Sequence, residues 1–422
     1  ARIVGNTNIL VNDGNITGSV YGGGNIAAVT ESTTVTVIDA ILSAIYGGGN
    51  KGVVEGNTQV TVNGSAQITN IFAGSNQANI GGEARLIINS GTIVNAYGGN
   101  NLSGVITSAL STQINGGTIT NVYGGGNEAS TTLDTNVSIN GGMITSLYGG
   151  GNQANVNNSI ITITNTISTP TIKNIYGGGY AGEVEGSSNI AFENGSVEEN
   201  IYGGGYEGNI EGITNIIIES GIIESSVYGG GYQGAVYNNT NIIVNDGSIK
   251  NIYGGGYLGN VIGESQIQIN EGTIENNVYG GGYQGNVNST VIEVNDGSIK
   301  NIYGGGFEGK VEEETTIQIN GGKVKESIYG GGYQGDIRKS NIILEDGEVE
   351  GSVYGGGYQG EVIEDVIIRL NGSKVNQSIY GGGYAGDIEG KTQIEVREGK
   401  VNKNIYGGGY AGEVRLQHHQ GH

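Results

Sequence analysis

Acidic side chains that could do general acid–base chemistry recur at one phase of this chain: Glu183, Asp336, Glu361, Asp387 and Glu413. Paired carboxylates at fixed spacing are what glycoside hydrolysis and related proton transfers need. The same phase, however, holds Asn209, Asn260, Asn286, Ala235 and Lys310 in other copies. A position that accepts Ala and Lys is not a catalytic carboxylate, so no enzyme is expected. His418, His419 and His422 are the only histidines, and they fall in RLQHHQGH, where the pattern has stopped after Val414. Residues 415–422 are therefore expected to be a disordered or vector-derived tail rather than a metal or catalytic set. Cys is absent, which excludes disulfides, thiolate metal sites and cysteine nucleophiles. The GGG runs suggest a phosphate loop only superficially, because no Lys-Ser/Thr follows and no helix begins there. No cofactor is implied.

What positions these residues is a repeat. The motif YGGG, followed by Asn or Tyr, runs from Tyr21 to Tyr406 through Tyr46, Tyr123, Tyr148, Tyr176, Tyr202, Tyr228, Tyr253, Tyr279, Tyr303, Tyr329, Tyr354 and Tyr380, with worn copies at Phe72 and Tyr97. These are about sixteen copies, mostly 25 or 26 residues apart, a period that marks a solenoid, propeller or array. Glycine makes up 85 of 422 residues; falling at fixed phase between Ile and Val, it marks turns rather than disorder.

One copy, Thr240 to Glu264, shows how a turn of the coil is built. Ile242 and Val244 alternate with Asn241 and Ile243, and Ile267 and Ile269 do so between Gln266 and Gln268 in the next copy. This period of two predicts a short strand with one buried face. A turn follows at Asn245-Asp246-Gly247, repeated at Asn295-Asp296-Gly297, Asn320-Gly321-Gly322 and Glu345-Asp346-Gly347. A second strand carries Ile249 and Ile252 into the glycine corner, a third is expected to place Tyr257, Gly259 and Val261 on one face, and Gly263 is expected to mark the last corner. Three short strands and three corners per copy predict an all-β parallel β-solenoid; right-handed winding follows from the crossover rule. Its sixteen coils, stacked at about 4.8 Å, would extend roughly 75–80 Å. The glycine columns are expected to supply positive φ at corners where a side chain would clash, so that Gly255→Val would destabilise the coil through backbone strain and steric conflict. A chain of hairpins is the alternative, since Asp-Gly and Asn-Gly also make hairpin turns.

Two blocks follow each other. In residues 1–165 the glycines precede Asn25, Asn50, Asn76, Asn127 and Asn152, with Asn100 and Asn101 at the worn copy; stacked amides predict a hydrogen-bonded ladder. In residues 166–414 they precede Tyr180, Tyr206, Tyr232, Tyr257, Tyr283, Phe307, Tyr333, Tyr358, Tyr384 and Tyr410, an expected aromatic ladder in which Phe307 dispenses with the hydroxyl. Between them ITNTISTPTIKN carries the only proline, Pro170, in a copy about 28 residues long, which predicts a bulged corner. Charge divides similarly: four Lys/Arg against seven Asp/Glu in residues 1–175, and fourteen against thirty-three thereafter. A net charge of −22 repels phosphate backbones, so nucleic acid is not an expected partner. No apolar run approaches the roughly 20 residues that span a bilayer. The chain opens on Ala1 without a signal-peptide pattern, as a processed or excised piece does.

At YGGGN/YGGGY, the N-D/G-G turn and the T-x-I-x-I strand, residues 1–414 resemble the Gly-rich parallel β-solenoid stalks of bacterial cell-surface adhesins and extracellular fibre proteins. The resemblance implies a secreted, envelope-attached structural or adhesive role, extracellular or at a bacterial surface. Ile3-Val4-Gly5-Asn6-Thr7 has the phase of Ile210-Glu211-Gly212-Ile213-Thr214, so the expectation is either end-to-end stacking into a homopolymer or capping sequence that lies outside this fragment. A surface glycan or host ligand on the tyrosines, or calcium at GGGYQGDI (Gly330 to Ile337), is the alternative. The latter is superficially similar to the G-G-x-G-x-D repeat of calcium-binding β-rolls, whose period is about nine. Ice binding would need a regular Thr face, and Thr34-Val35-Thr36 and Thr162-Ile163-Thr164 stand isolated.

Overall fold

A computed structural model describes residues 2–415. Two compact units divide the chain, residues 1–212 and 213–422. Each is a parallel β-solenoid, with strands, bends and no helix among the described residues.

In residues 1–212 the T-x-I-x-I segments form strands such as Thr58–Val62, Ala84–Ile88 and Thr135–Ile139. The segments that end in the anchor aromatic form a second set, including Gln67–Phe72, Thr92–Tyr97 and Thr118–Tyr123. Each strand lies beside its own equivalent one coil away, with Val60 opposite Leu86 and Ile68 opposite Ile93. Residues 213–422 repeat this: Ile242 faces Ile267 and Ile249 faces Ile274. These ladders are parallel, which rules out a chain of hairpins, whose strands would be antiparallel.

The period of two places one side chain in every pair inside. In Thr240–Val244 the residues Thr240, Ile242 and Val244 are buried while Asn241 and Ile243 are half-buried. Complete burial of an Ile such as Ile242 stabilises the fold by about 1.5–3 kcal/mol relative to exposure. The leading Thr has a separate task. Thr240 Oγ1 donates to the Gly254 carbonyl at 2.7 Å, as Thr58 does to Ala73, Thr214 to Gly229 and Thr315 to Gly330. It therefore ties the start of the first strand to the glycine corner across the interior of the same coil.

The third β element is the slightest. Tyr257 to Gly259 form bends, and pairing narrows to single bridges such as Val29 to Val54 and Ile337 to Val362. Gly259 and Val261 still point inward, with Tyr257 half-buried above them. At Gly263 the expected corner is absent: one strand runs from Val261 to Ile269, with a register irregularity between Val261 and Glu264.

Glycine serves two different ends. Positive φ belongs to the turn after the first strand, at Gly247 (114°), Gly297 (102°), Gly322 (75°) and Gly347 (96°). The YGGG glycines lack it, contrary to the expectation from sequence. They are required because coils pass too closely there: a Cβ on Gly255 would lie 2.7 Å from the Gly282 nitrogen and 2.6 Å from Val287 Cγ2. Pro170 is buried immediately before the strand Thr171–Tyr176, and its carbonyl accepts the Ser196 N–H at 3.1 Å. The insertion is thus accommodated as a bulge at the turn, where a missing N–H removes no strand hydrogen bond.

Candidate functional site

The side chains singled out by sequence form columns, and there are more of them than the sequence disclosed. In residues 213–422 the outer aromatic column stacks Tyr232, Tyr257, Tyr283, Phe307, Tyr333, Tyr358, Tyr384 and Tyr410 at centroid distances of 4.8–5.2 Å, with rings within 6° of parallel. In residues 1–212 Tyr180 and Tyr206 stack at 5.0 Å. Rings so arranged turn their faces to one another and offer solvent their edges, a poor platform for sugar rings.

A second, inner column is made by the YGGG tyrosines themselves. Tyr228, Tyr253, Tyr279, Tyr303, Tyr329, Tyr354, Tyr380 and Tyr406 stack at 4.8–5.0 Å. Tyr21 through Phe72 and Tyr97 to Tyr202 do so in the first unit, at 4.5–5.0 Å. Strand alternation hides this column, because Ile252 points inward and Tyr253 should then point out. The glycine corner turns the chain so that both are buried. The two columns meet edge to face, as in Tyr253 with Tyr283 (6.0 Å, 76°) and Tyr354 with Tyr384 (5.7 Å, 86°). Each favourable ring pair contributes about 0.5–1.5 kcal/mol beyond burial. Burial also holds the inner phenols in their neutral form: Tyr97, Tyr148 and Tyr329 are each pushed up to about 12, and Tyr253 and Tyr303 higher still.

The amide ladder runs through Asn25, Asn50, Asn76, Asn101, Asn127 and Asn152, each Nδ2 donating to the preceding Oδ1 at 2.7–2.9 Å. Of the adjacent pair at the worn copy, Asn101 carries the ladder. Asn100 is buried, accepting the Ser75 N–H at 2.7 Å and donating to the Ala78 carbonyl at 3.3 Å. A further amide ladder, which sequence reading took only for a turn signal, joins Asn63, Asn89, Asn115 and Asn140 at 2.7–2.8 Å. Its counterpart in the second unit joins Asn245, Asn270, Asn295 and Asn320 at 2.8–2.9 Å. The N of N-D/G-G is therefore both turn former and ladder rung.

The repeated acidic phase braces one coil against the next. Asp336 Oδ1 accepts the Glu361 N–H at 3.2 Å and Asp387 Oδ1 accepts the Glu413 N–H at 2.8 Å; Asn260 and Asn286 accept from Asn286 and Lys310 in the same way. Asn replaces Asp freely because the task is to accept an N–H. The other oxygen of Asp336 meets Lys310 Nζ at 3.2 Å, so both are engaged at GGGYQGDI. Among the described residues no group of three or more His, Asp or Glu side chains is placed to hold a metal ion. At the YGGG corner after Tyr253 the first two glycine amides are committed to the next coil: Gly254 N–H donates to the Tyr279 carbonyl at 2.9 Å and Gly255 N–H to Gly281 at 3.3 Å. Exposed ion pairs also step between coils, with Lys323–Glu350 at 2.6 Å and Arg338 between Glu313 and Glu364 at 3.1 and 2.6 Å; solvent screens pairs so exposed, and they add little to stability.

A shallow groove of about 160 Å³ lies beside Lys310, Asp336, Arg338 and Ile363, and wider open ones of about 400 and 390 Å³ lie beside Gln113 and Asn136 and beside Thr132 and Asp134; the last two reach the lower part of the roughly 300–1,000 Å³ range of ligand pockets. In the first of these Lys310, Asp336 and Arg338 are already paired. The three histidines lie outside the described residues. No family model, characterised protein or solved structure matches the chain.

Proposed function

We propose that the chain is a non-enzymatic structural or adhesive β-solenoid that acts outside the cell or at a bacterial surface, with end-to-end coil stacking as its route to a fibre. One observation carries this reading: the repeated side chains are engaged by the coil beside them. Tyr stacks on Tyr, Asn bonds Asn, and Asp or Asn accepts the N–H one coil on. Polar groups committed in this way stiffen a scaffold and are withdrawn from chemistry. End-to-end stacking rests on translation of one unit. The two edges of an interior coil already fit a near copy of that coil, so edges from separate molecules are complementary too. Such a contact is heterologous and propagates into an open filament. The test is negative-stain imaging and sedimentation over a range of protein concentrations. Filaments that lengthen with concentration are expected; monomers alone at the highest concentration would refute end-to-end assembly.

A further inference from the structure

Of the twenty-five tyrosines, twenty-four stand at the anchor of a YGGG copy or immediately after its glycines, and Tyr237 alone does neither. Tyr237 is 49% exposed and follows the bridge residue Val236, whose partner is Val261. That register sets it beside Ile262, which is 56% exposed and whose N–H bonds the Val236 carbonyl at 2.9 Å. Its ring is held by neither column.

Composition decides where oxidation of this chain ends. There is no Cys, no Trp and a single Met, so the more readily oxidised side chains are almost wholly missing. One-electron oxidants are left with tyrosine. In the columns a ring lies parallel to its neighbours at about 5 Å, and the carbons ortho to the hydroxyl cannot join without breaking the stack. Tyr406 (44%) and Tyr410 (60%) are exposed as well, but each is held on one face by Tyr380 or Tyr384, whereas among the described residues the Tyr237 ring stacks on no other and is free of that restraint. We propose that Tyr237 is a site of oxidative phenol coupling between two copies of the chain, a covalent cross-link independent of the role proposed above.

The step balances with a haem peroxidase and hydrogen peroxide as oxidant. Two Tyr237 phenols, one from each copy, each give up one electron and the phenolic proton, and the peroxide is reduced to two waters. The two phenoxyl radicals form one C–C bond between ortho carbons. The hydrogen on each joined carbon moves to its oxygen, restoring both phenols. Ile262 provides an apolar contact next to the ring for the approach of a second copy.

The test treats the whole chain with a haem peroxidase and peroxide. Readouts are dityrosine fluorescence, covalent dimer on denaturing gels, and mass-spectrometric mapping of the linked peptides. The expected result is a dimer joined through peptides that contain Tyr237, reduced in Tyr237→Phe to the level seen without peroxide and retained in Tyr358→Phe, which removes one outer-column phenol. Absence of dimer in the parent, equal dimer in Tyr237→Phe, or linked peptides that map to column tyrosines would each overturn the proposal.

Discussion

Replacing Gly255 by Ala separates the two explanations of the YGGG glycines, backbone conformation and coil-to-coil approach. Gly255 has no positive φ, so any cost must come from the neighbouring coil. The added Cβ lies 2.7 Å from the Gly282 nitrogen and 2.8 Å from its Cα, where ordinary contact begins at 3.4 Å. Relief requires the coils to separate locally by about 0.7 Å. That would stretch the Gly254 N–H bond to the Tyr279 carbonyl from 2.9 Å to about 3.6 Å, beyond a hydrogen bond. The longer Gly255 to Gly281 bond would be lost with it. Overpacking costs about 1–3 kcal/mol and each lost bond about 1, while removing a glycine from the unfolded chain offsets about 0.4–1 kcal/mol. The net expectation is a loss of about 2–4 kcal/mol, and more for Gly255→Val. Guanidinium unfolding followed by circular dichroism reads it, with hydrogen exchange at residues 254–255 and 281–282 to localise the opening. Gly408→Ala, at the same phase but with nothing within 4 Å of its Cβ in this chain, serves as the control and is expected to be near neutral. Equal stability of Gly255→Ala and Gly408→Ala would refute the steric account.

Two further outcomes test the inner column. Tyr253→Ala empties a site stacked at 4.8 Å on both sides and should cost about 3–5 kcal/mol in chemical unfolding, whereas Tyr253→Phe, matching the natural Phe72, should stay within about 1 kcal/mol; equal losses would show that the hydroxyl, not the stack, matters. Alkali should unfold the protein through the same column: the folded pKa of Tyr97, Tyr148 and Tyr329 is raised from 10.0 to about 12, so their stabilising contribution is complete below pH 10 and disappears as pH climbs towards 12. Complete phenolate absorbance, from all twenty-five tyrosines, should therefore be reached only together with loss of the β signal, and complete titration with unchanged circular dichroism would contradict the buried column.

How much of this was legible in sequence depended on whether a residue's task was local or lay between coils. The period of two at Ile242 and Val244 records a local alternation, and the N-D-G turn records a local positive φ at Gly247; both could be read directly. The close approach at Gly255 involves Gly282, 27 residues away, and leaves no local signature beyond the glycine itself, so of the two reasons expected there, backbone strain and steric conflict, only the steric one holds and its partner could not be named. The same limit hid the inner tyrosines, since a corner that buries Ile252 and Tyr253 together breaks alternation without a breaker residue in front of it. In a solenoid the informative comparison is thus each residue with its equivalent one coil on. By that comparison Asn295, sandwiched between Asn270 and Asn320, is a ladder rung before it is a turn residue. A repeat that keeps one side chain type at one phase can be satisfying a contact that exists only between copies; at the acidic phase Asn260, Asn286, Asp336 and Asp387 each accept the next coil's N–H, charged or not, while Lys310 at the same phase meets its neighbour as an ion pair instead.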